Sequence, residues 1–285
     1  MSQIQRFAVV GEGEPATLLD AVADRAGLVS VGEVAARRTF LDTADGRVRK
    51  AGGCLEVRSP VSGRQAPTLV WTSVESGETL GAVDLARDAD PPRWVEDIPA
   101  SPVRERLAPL LEMRALLPQA EVMSRLTTMA GLDGEGKTTV RVVLDDSTLL
   151  GSATLPPLVE VLPVRGYDKD AARLTSFLAA QVTLDPVQDP LVDLARDALG
   201  APAYLSSKLK LELDAALTGE EAWRAVLSVL AATMAANLDG TRADTDSEFL
   251  HDYRVAVRRT RSVLQEGKGV LPDEARARWR QEFKW

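Results

Sequence analysis

The sequence predicts an α+β protein, in which an antiparallel β-barrel or tunnel with peripheral helices is followed by an α-helical segment. Short alternating or apolar stretches, separated by Gly- and Pro-rich turns, recur up to about residue 185, which is typical of antiparallel strands. Few amphipathic helices interrupt them. From residue 206 onward every pattern is helical, and strands followed by helices indicate two kinds of module. We therefore expect a tunnel domain at 1–205 and a helical domain at 206–285.

The individual elements follow from hydrophobic period and from turn and cap residues. The predicted strands cover residues 3–10, 39–41, 55–58, 68–74, 80–85, 121–129, 138–144 and 158–164. A first helix begins at Pro15 and ends at Gly27, because proline suits the first helical position and glycine the residue after the last. Thr218 and Glu221 have capping-box spacing. The remaining predicted helices cover residues 103–115, 169–181, 191–199, 218–238, 247–266 and 272–285.

Composition describes an ordinary globular chain. Of the 285 residues, 45% are hydrophobic and 27% are charged. No apolar run approaches the ~20 residues that span a bilayer, and we expect no membrane association and no signal peptide. The single cysteine and single histidine exclude intramolecular disulfides, cysteine-based zinc sites and most catalytic triads. One cysteine also fits the reducing cytoplasm, where we expect the protein.

Charge is distributed unevenly along the chain. Residues 1–200 hold 21 Lys and Arg against 29 Asp and Glu, whereas residues 251–285 hold 9 against 5. Phosphate affinity comes from clustered basic residues, so this balance argues against nucleic-acid binding by the N-terminal part. An anionic partner is expected at the C-terminal end instead.

Residues 131–138 match the phosphate-loop pattern G-x-x-x-x-G-K-[ST] letter for letter. A true phosphate loop opens a helix, because the helix N-terminus supplies amides to the phosphates. Here the following residues are β-branched and predict a strand. We therefore interpret the match as the turn of a β-hairpin.

Two aspartates, Asp42 and Asp45, mark a polar break that is a candidate cation site. A calcium loop needs twelve positions ending in Glu, and the spacing here is too short. An Asx-type turn, in which the carboxylates accept hydrogen bonds from local amides, explains the pair better.

The stretch from Phe40 to Arg58 resembles the signature of the CYTH superfamily, the triphosphate tunnel metalloenzymes. The matching residues are Phe40-Leu-Asp-Thr-Ala-Asp45, the pair Gly52 and Gly53, and Leu55-Glu-Val-Arg58. The resemblance implies a closed antiparallel tunnel in which Arg and Lys bind a triphosphate and carboxylates hold Mg²⁺ or Mn²⁺. It covers about residues 1–210.

Further positions are carried over from this resemblance. It implies weak anion binding in the tunnel by Arg58, Arg125 and Lys208, the last within a late Ser207-Lys208 pair. It implies metal binding by Asp145 and Glu160. The alternative is that these are solvated or paired strand residues, and the sequence leaves both readings open.

The departures of this chain from the CYTH pattern remove or reverse charges that the family uses. Where the family has Glu-x-Glu-x-Lys on one strand face, this sequence has Gln3, Gln5 and Phe7, and Glu56 replaces an arginine. Amides are poor ligands for hard dications, and each lost electrostatic group costs ~10²–10³-fold in rate. We therefore expect an impaired site with little hydrolysis, and Mg²⁺ or Mn²⁺ only if tunnel activity remains.

A second resemblance lies at residues 251–264, whose letters H-x-x-R-V-x-x-R-R-x-R-S-x-L match the CHAD domain, the conserved histidine α-helical domain. On a helix, four of its basic residues fall within an arc of about 80°. The family implies that inorganic polyphosphate binds along this surface. The implied binding residues are His251, Arg254, Arg258, Arg259 and Arg261. The alternative is that the arginines pair with nearby acids at Asp244, Asp246, Glu248 and Asp252.

Three functions remain open at this point. The first is a CYTH–CHAD protein that binds polyphosphate, a triphosphate compound or another polyanion through the C-terminal helix. The second is a metal-dependent triphosphatase acting on inorganic or organic triphosphate, and the third is an assembly scaffold without a ligand. The CHAD module is shorter than the family's, so we also expect exposed apolar surface that favours homo-oligomers.

Overall fold

A computed structural model describes most of the chain. The described residues are 3–10, 14–62, 65–151, 154–201, 206, 208–209, 211–267, 269–270 and 272–283. Ser207 and the last two residues of the predicted final helix lie outside them. None of the described helices is long and apolar enough to cross a lipid bilayer.

Nine strands and eight α-helices make up the described part of the chain. The strands are β1 (Gln5–Val9), β2 (Leu28–Thr43), β3 (Gly53–Pro60), β4 (Thr68–Ser73), β5 (Thr79–Asp84), β6 (Leu116–Leu132), β7 (Thr138–Leu149), β8 (Leu158–Pro163) and β9 (Leu184–Val187). The helices are α1 (Pro15–Ala26), α2 (Arg47–Lys50), α3 (Pro102–Leu111), α4 (Asp168–Ala179), α5 (Leu191–Ala198), α6 (Gly219–Arg242), α7 (Ser247–Glu266) and α8 (Asp273–Glu282).

The chain divides into two compact units. One comprises Met1–Glu112 and Leu116–Ala201, here called the sheet unit. The other comprises Met113–Ala115 and Pro202–Trp285, here called the helical unit. Each is described by itself below.

A single antiparallel sheet forms the sheet unit, with strand order β5-β4-β3-β2-β6-β7-β8-β1-β9. The α+β prediction is confirmed by this sheet and the helices that follow it. The sheet curves strongly enough to bring strands from its two edges together. The amide of Ile4, just before β1, donates a 2.8 Å hydrogen bond to the carbonyl of Glu75 in the β4–β5 turn. One face of the curved sheet therefore surrounds an interior, and the other face is covered by helices.

Two apolar clusters cover the outer face. The first packs α1 and α4 against β1, β7 and β8, with Phe7, Leu19, Val142, Val161 and Leu178 among its buried members. The second packs α2 and α3 against β2, β3 and β4. Burial of this apolar area, worth about 25 cal/mol per Å², fixes which residues of each strand point outward and which point inward.

A third cluster closes one end of the interior. Ala8, Phe40, Val122, Leu149 and Leu158 project from five strands and pack against α5. Helix α5 contributes Leu191, Val192 and Ala195 to this cluster. Its Asp193 also pairs with Arg49 of α2 at 2.8 Å. The interior is therefore blocked at the α5 end by apolar packing.

Several local predictions are confirmed. Pro15 opens α1, and Gly27 ends it in the left-handed conformation (φ 67°). The phosphate-loop look-alike is a hairpin turn between β6 and β7, with the amide of Gly136 bonded to the carbonyl of Asp133. Asp42 accepts the amides of Thr43, Val48 and Arg49, so the aspartate pair is the expected polar turn.

Strand length was underestimated. The sequence predicts a strand at 39–41, whereas β2 runs over 16 residues from Leu28. Most of its first half is exposed and carries Gly32 at a register shift against β6, which hides the alternating pattern. Strand β9 and helix α2 are too short to show a period.

In the helical unit, α6 and α7 pack closely at Gly240, where an added Cβ would overlap the ring of Phe249. Thr218 and Glu221 form the predicted capping box of α6. The sequence predicts extensive burial of this helix, but only Leu230, Thr233 and Asn237 are buried. Val226, Leu227 and Met234 are only partly covered.

We predict that Gly53→Ala destabilises the protein, because a Cβ on Gly53 would overlap the Trp71 indole and approach Val48. Overpacking of this kind costs about 1–3 kcal/mol. Gly134→Ala is the matched control, since nothing lies within 4 Å of its added Cβ. Urea unfolding followed by tryptophan fluorescence should show a lower midpoint for Gly53→Ala only; equal midpoints for the two variants would contradict the packing described.

Candidate functional site: the sheet interior and the basic helix

Inward-facing charged and hydroxyl side chains form a ring in the sheet interior, beside the apolar cluster that packs against α5. The ring lies two residues from the α5-packed cluster, as the period of a strand requires. Its members, here called the interior polar ring, are Arg6, Arg38, Glu56, Ser124, Asp145, Ser147 and Glu160.

Arg38 of β2 lies at the centre of this ring. Its Nε donates to Glu56 of β3 at 2.5 Å, and its Nη1 donates to Asp145 of β7 at 2.5 Å. Ser147 donates to the same Asp145 at 2.5 Å and lies 2.6 Å from Ser124. Arg38, Glu56 and Asp145 are at most 8% exposed, so their charges are neutralised by one another rather than by water.

The other charges of the interior are paired as well. Arg6 of β1 donates to Glu160 of β8 at 2.8 Å and to the carbonyl of Val74 at 2.9 Å. Arg58 donates to Glu56 at 2.6 Å while keeping 38% of its side chain exposed. Three arginines thus face three carboxylates, and the charges of these six side chains balance.

Burial and ion pairing act on these carboxyl groups in opposite ways. Burial raises the pKa of Glu56, but the charges of Arg38 and Arg58 outweigh it and hold that pKa below its usual value. Burial also raises the pKa of Glu160; Arg6 opposes this rise and the nearby Asp145 adds to it. The thiol of Cys54, next to Glu56 on the strand, has a raised pKa because it is buried. A raised pKa disfavours the thiolate form on which cysteine reactivity depends.

Divalent metal does not fit this arrangement. Mg²⁺ and Mn²⁺ require anionic oxygens with free lone pairs, whereas Arg38 and Ser147 engage both oxygens of Asp145 and Arg6 engages Oε1 of Glu160. Across the described residues, no group of three or more His, Cys, Asp or Glu side chains is placed to hold a metal ion. We derive no metal-dependent step from this interior.

The structure brings together only some of the residues predicted for the tunnel. Arg58, Asp145 and Glu160 lie on the interior face. Arg125 points to the outer face, where it is 63% exposed and 3.7 Å from Glu33. Lys208 is exposed and belongs to the helical unit. The expectation that Arg125 lines the tunnel is not met, because the pleat of β6 turns Ser124 inward instead.

The prediction of which β1 side chains face the interior is also wrong. The CYTH resemblance places Gln3, Gln5 and Phe7 on the functional face, but both glutamines are exposed and Phe7 is buried in the outer cluster with α1 and α4. Arg6 faces the interior in their place. The signal was present in the sequence: Phe7 must be buried, and strand alternation then turns Arg6 to the opposite face.

Arg38 and Glu56 are central residues of the interior polar ring that the sequence patterns do not connect. The sequence shows Glu56 only as a departure from an expected arginine. No spacing rule joins residue 38 to residues 56 and 145, because the three meet only through the lateral order of β3, β2, β6 and β7.

Helix α7 carries the basic residues of the C-terminal motif on its exposed side. His251, Arg254, Arg258 and Arg261 follow one stripe about 15 Å long at 1.5 Å per residue. All four are exposed, as is Arg259 farther round the helix. Arg254, Arg258 and Arg261 form no ion pair with any described residue.

The buried side of α7 differs from the prediction. Helical spacing predicts an apolar stripe through Leu250, Tyr253, Val257 and Leu264 beside the basic residues; Leu264 is buried as predicted, but Leu250 is 46% exposed. The fully buried residues are Phe249, Asp252, Val255, Ala256, Thr260 and Leu264. Packing against α6 selects this face, which leaves the basic stripe outside.

The first turn of α7 is anchored by a buried carboxylate. Asp246 caps the helix by accepting the amides of Glu248 and Phe249. Within the helical unit it also accepts Arg114 Nη1 at 2.9 Å and the amide of Ala115 at 3.1 Å. Asp246 is thus occupied by its own unit and does not neutralise the basic stripe.

Comparison with known families identifies the C-terminal part. Residues 225–285 match the CHAD domain family model. The predicted CHAD segment is confirmed over this range, which contains α7 and its basic stripe. No curated protein matches the sequence.

Solved structures with similar folds are distant in sequence. A proposed adenylyl cyclase from Hippeastrum, described as having a dominant triphosphatase activity, is 14% identical, with a TM-score of 0.47 over 69% of this chain and 96% of that chain. A proposed adenylate cyclase from Bacillus halodurans is 14% identical, with a TM-score of 0.43 over 67% and 96%. A protein from Pyrococcus horikoshii is 10% identical, with a TM-score of 0.41 over 68% and 99%. Similarity at this level transfers no site and no activity to this chain.

We predict that Glu56→Gln loses stability at neutral pH and flattens the acid response. Removing one partner of a buried ion pair costs about 3–5 kcal/mol. Because the pKa of Glu56 is lowered from 4.5, its stabilising contribution is present above about pH 4.5 and is lost as the pH falls below it. The stability difference between wild type and variant should therefore shrink during acidification.

Urea unfolding at pH 7, 5, 4 and 3 measures this difference. Glu121→Gln serves as control, because Glu121 pairs with the exposed Arg37 on the outer surface and such pairs contribute about 0–1 kcal/mol. A stability difference for Glu56→Gln that stays constant from pH 7 to pH 3 would show that the carboxylate is not held ionised by Arg38 and Arg58.

Proposed function

We propose that this protein is a CYTH–CHAD-type polyanion-binding protein, in which α7 binds inorganic polyphosphate or a similar phosphate chain and the sheet interior is an impaired triphosphate tunnel. The proposed division places the tunnel-type domain at 1–205 and the CHAD segment at 206–285. The observation that carries the proposal is the exposed, unneutralised stripe of His251, Arg254, Arg258 and Arg261 on one side of α7.

The chemistry of the stripe suits a phosphate chain. Guanidinium groups present fork-shaped donors that grip two phosphate oxygens at once, and the stripe repeats them along about 15 Å of helix. Charged groups that lack an internal partner retain their full attraction for an external anion. Of the four acids that could compete for these arginines, Asp246 pairs with Arg114 and Asp252 is buried.

The paired charges of the sheet interior argue against triphosphate hydrolysis there. A triphosphate needs an excess of cationic groups and a metal to activate water, whereas Arg6, Arg38 and Arg58 are each already paired with a carboxylate. Helix α5 also fills one end of the interior with apolar side chains. These features argue for the binding function over the alternative of a metal-dependent triphosphatase.

Retardation of inorganic polyphosphate on native gels, repeated at rising salt, tests the basic stripe. Arg254→Ala/Arg258→Ala should weaken binding at least about ten-fold, which corresponds to about 1.4 kcal/mol. Its matched control is Arg173→Ala/Arg224→Ala, which removes two exposed helical arginines that are paired with Asp170 and Glu220. Binding should weaken with salt in wild type, and less steeply in the stripe variant.

Unchanged retardation in the stripe variant would rule out a role for α7. A parallel assay of phosphate release from tripolyphosphate with Mg²⁺ or Mn²⁺ should give no turnover. Release that disappears in Arg58→Ala and in Glu160→Ala would establish the triphosphatase instead. Absence of binding to every phosphate polymer would leave the assembly scaffold, and preferential binding of single-stranded RNA of equal charge would redirect the proposal to nucleic acid.

A further inference from the structure

The centre of the sheet interior holds a cation that belongs to the protein itself. Arg38 bonds two carboxylates on strands either side of it, Glu56 and Asp145, each at 2.5 Å. Its guanidinium also lies 4.9 Å from the centre of the Phe40 ring. Arg38 and both carboxylates are more than nine-tenths buried, so this is a closed structural element and not a solvated surface pair.

We propose that the guanidinium of Arg38 takes the place of a bound divalent cation in the sheet interior, so that the native protein neither needs nor binds Mg²⁺ or Mn²⁺ there. Glu56, Asp145 and Glu160 are the acidic groups of the interior polar ring that could offer oxygens to such an ion. Arg38 neutralises the first two and Arg6 neutralises the third. This inference deepens the impaired-tunnel part of the proposed function and is independent of polyphosphate binding by α7.

Physical chemistry explains why a fixed guanidinium excludes a metal. A dication entering the ring would have to separate buried ion pairs and leave Arg38 as an uncompensated charge in a site closed by α5. The arginine stays protonated at any ordinary pH, because its attraction to Glu56 and Asp145 outweighs its burial. Excess metal therefore cannot displace it through loss of a proton.

Removal of the arginine charge should expose the requirement for a cation. Arg38→Met keeps an unbranched side chain but leaves Glu56 and Asp145 buried without their partner. We expect this variant to melt at lower temperature in EDTA and to be rescued by 1 mM Mn²⁺, with a rise of about 4 °C or more in melting temperature. Isothermal titration with Mn²⁺ should give about one bound ion for the variant and no saturable binding for wild type.

Three matched variants isolate the cause. Arg38→Lys keeps a cation in the ring and should gain no Mn²⁺ binding. Arg37→Met removes the neighbouring, exposed arginine and should behave as wild type. Arg38→Met/Glu56→Gln removes one of the two carboxylates and should lose the Mn²⁺ rescue.

Two outcomes would overturn the inference. One is saturable Mn²⁺ binding by wild type that Asp145→Asn or Glu160→Gln abolishes; the other is an Arg38→Met variant that folds yet responds to Mn²⁺ no more than Arg37→Met does. If Arg38→Met does not fold in EDTA, refolding from urea with Mn²⁺ decides: recovery of native tryptophan fluorescence supports the inference, and no recovery overturns it. Polyphosphate retardation is measured in EDTA, so failure here and failure of the α7 proposal are distinguishable.

Discussion

The ion pairs of Arg38 with Glu56 and Asp145 are the interaction on which the sheet unit depends. A charge buried to this degree costs several kcal/mol unless a partner neutralises it. Arg38 meets this requirement by joining strands that are separated in the sheet, β3 on one side and β7 on the other. The side chain thereby links β3, β2, β6 and β7 across the interior. The same pairs neutralise the groups that would otherwise recognise metal and phosphate.

The two units differ in how their charged side chains are paired. In the sheet unit, acids and bases are matched inside a low-dielectric interior, where their mutual attraction is strong. In the helical unit, packing of α7 against α6 buries Phe249, Ala256 and Leu264. This packing leaves Arg254, Arg258 and Arg261 exposed, with no ion pair to any described residue. This contrast underlies the proposal that phosphate is recognised on α7, and it gives the residues that suggested a tunnel site a role in ion pairing.

Sequence patterns predicted most elements but not the interior. Caps and turns such as Pro15, Gly27 and the Thr218–Glu221 box depend on a few consecutive residues, so they were predicted correctly. Long strands interrupted by a register shift, such as β2, lost their alternating pattern and were predicted too short. The face of β1 was predicted wrongly because family spacing was followed, whereas burial of Phe7 turns Arg6 inward.

The sequence by itself determined the α+β class, the helical C-terminal segment and the basic stripe of α7, because each depends on periods of two or 3.6 residues along one stretch of chain. Only the tertiary structure decided which charges meet. Arg38, Glu56 and Asp145 lie 18 and 107 residues apart along the chain, and no local period relates them. Their meeting follows from strand order and sheet curvature, and it converts the acids of a candidate metal site into partners of an internal arginine.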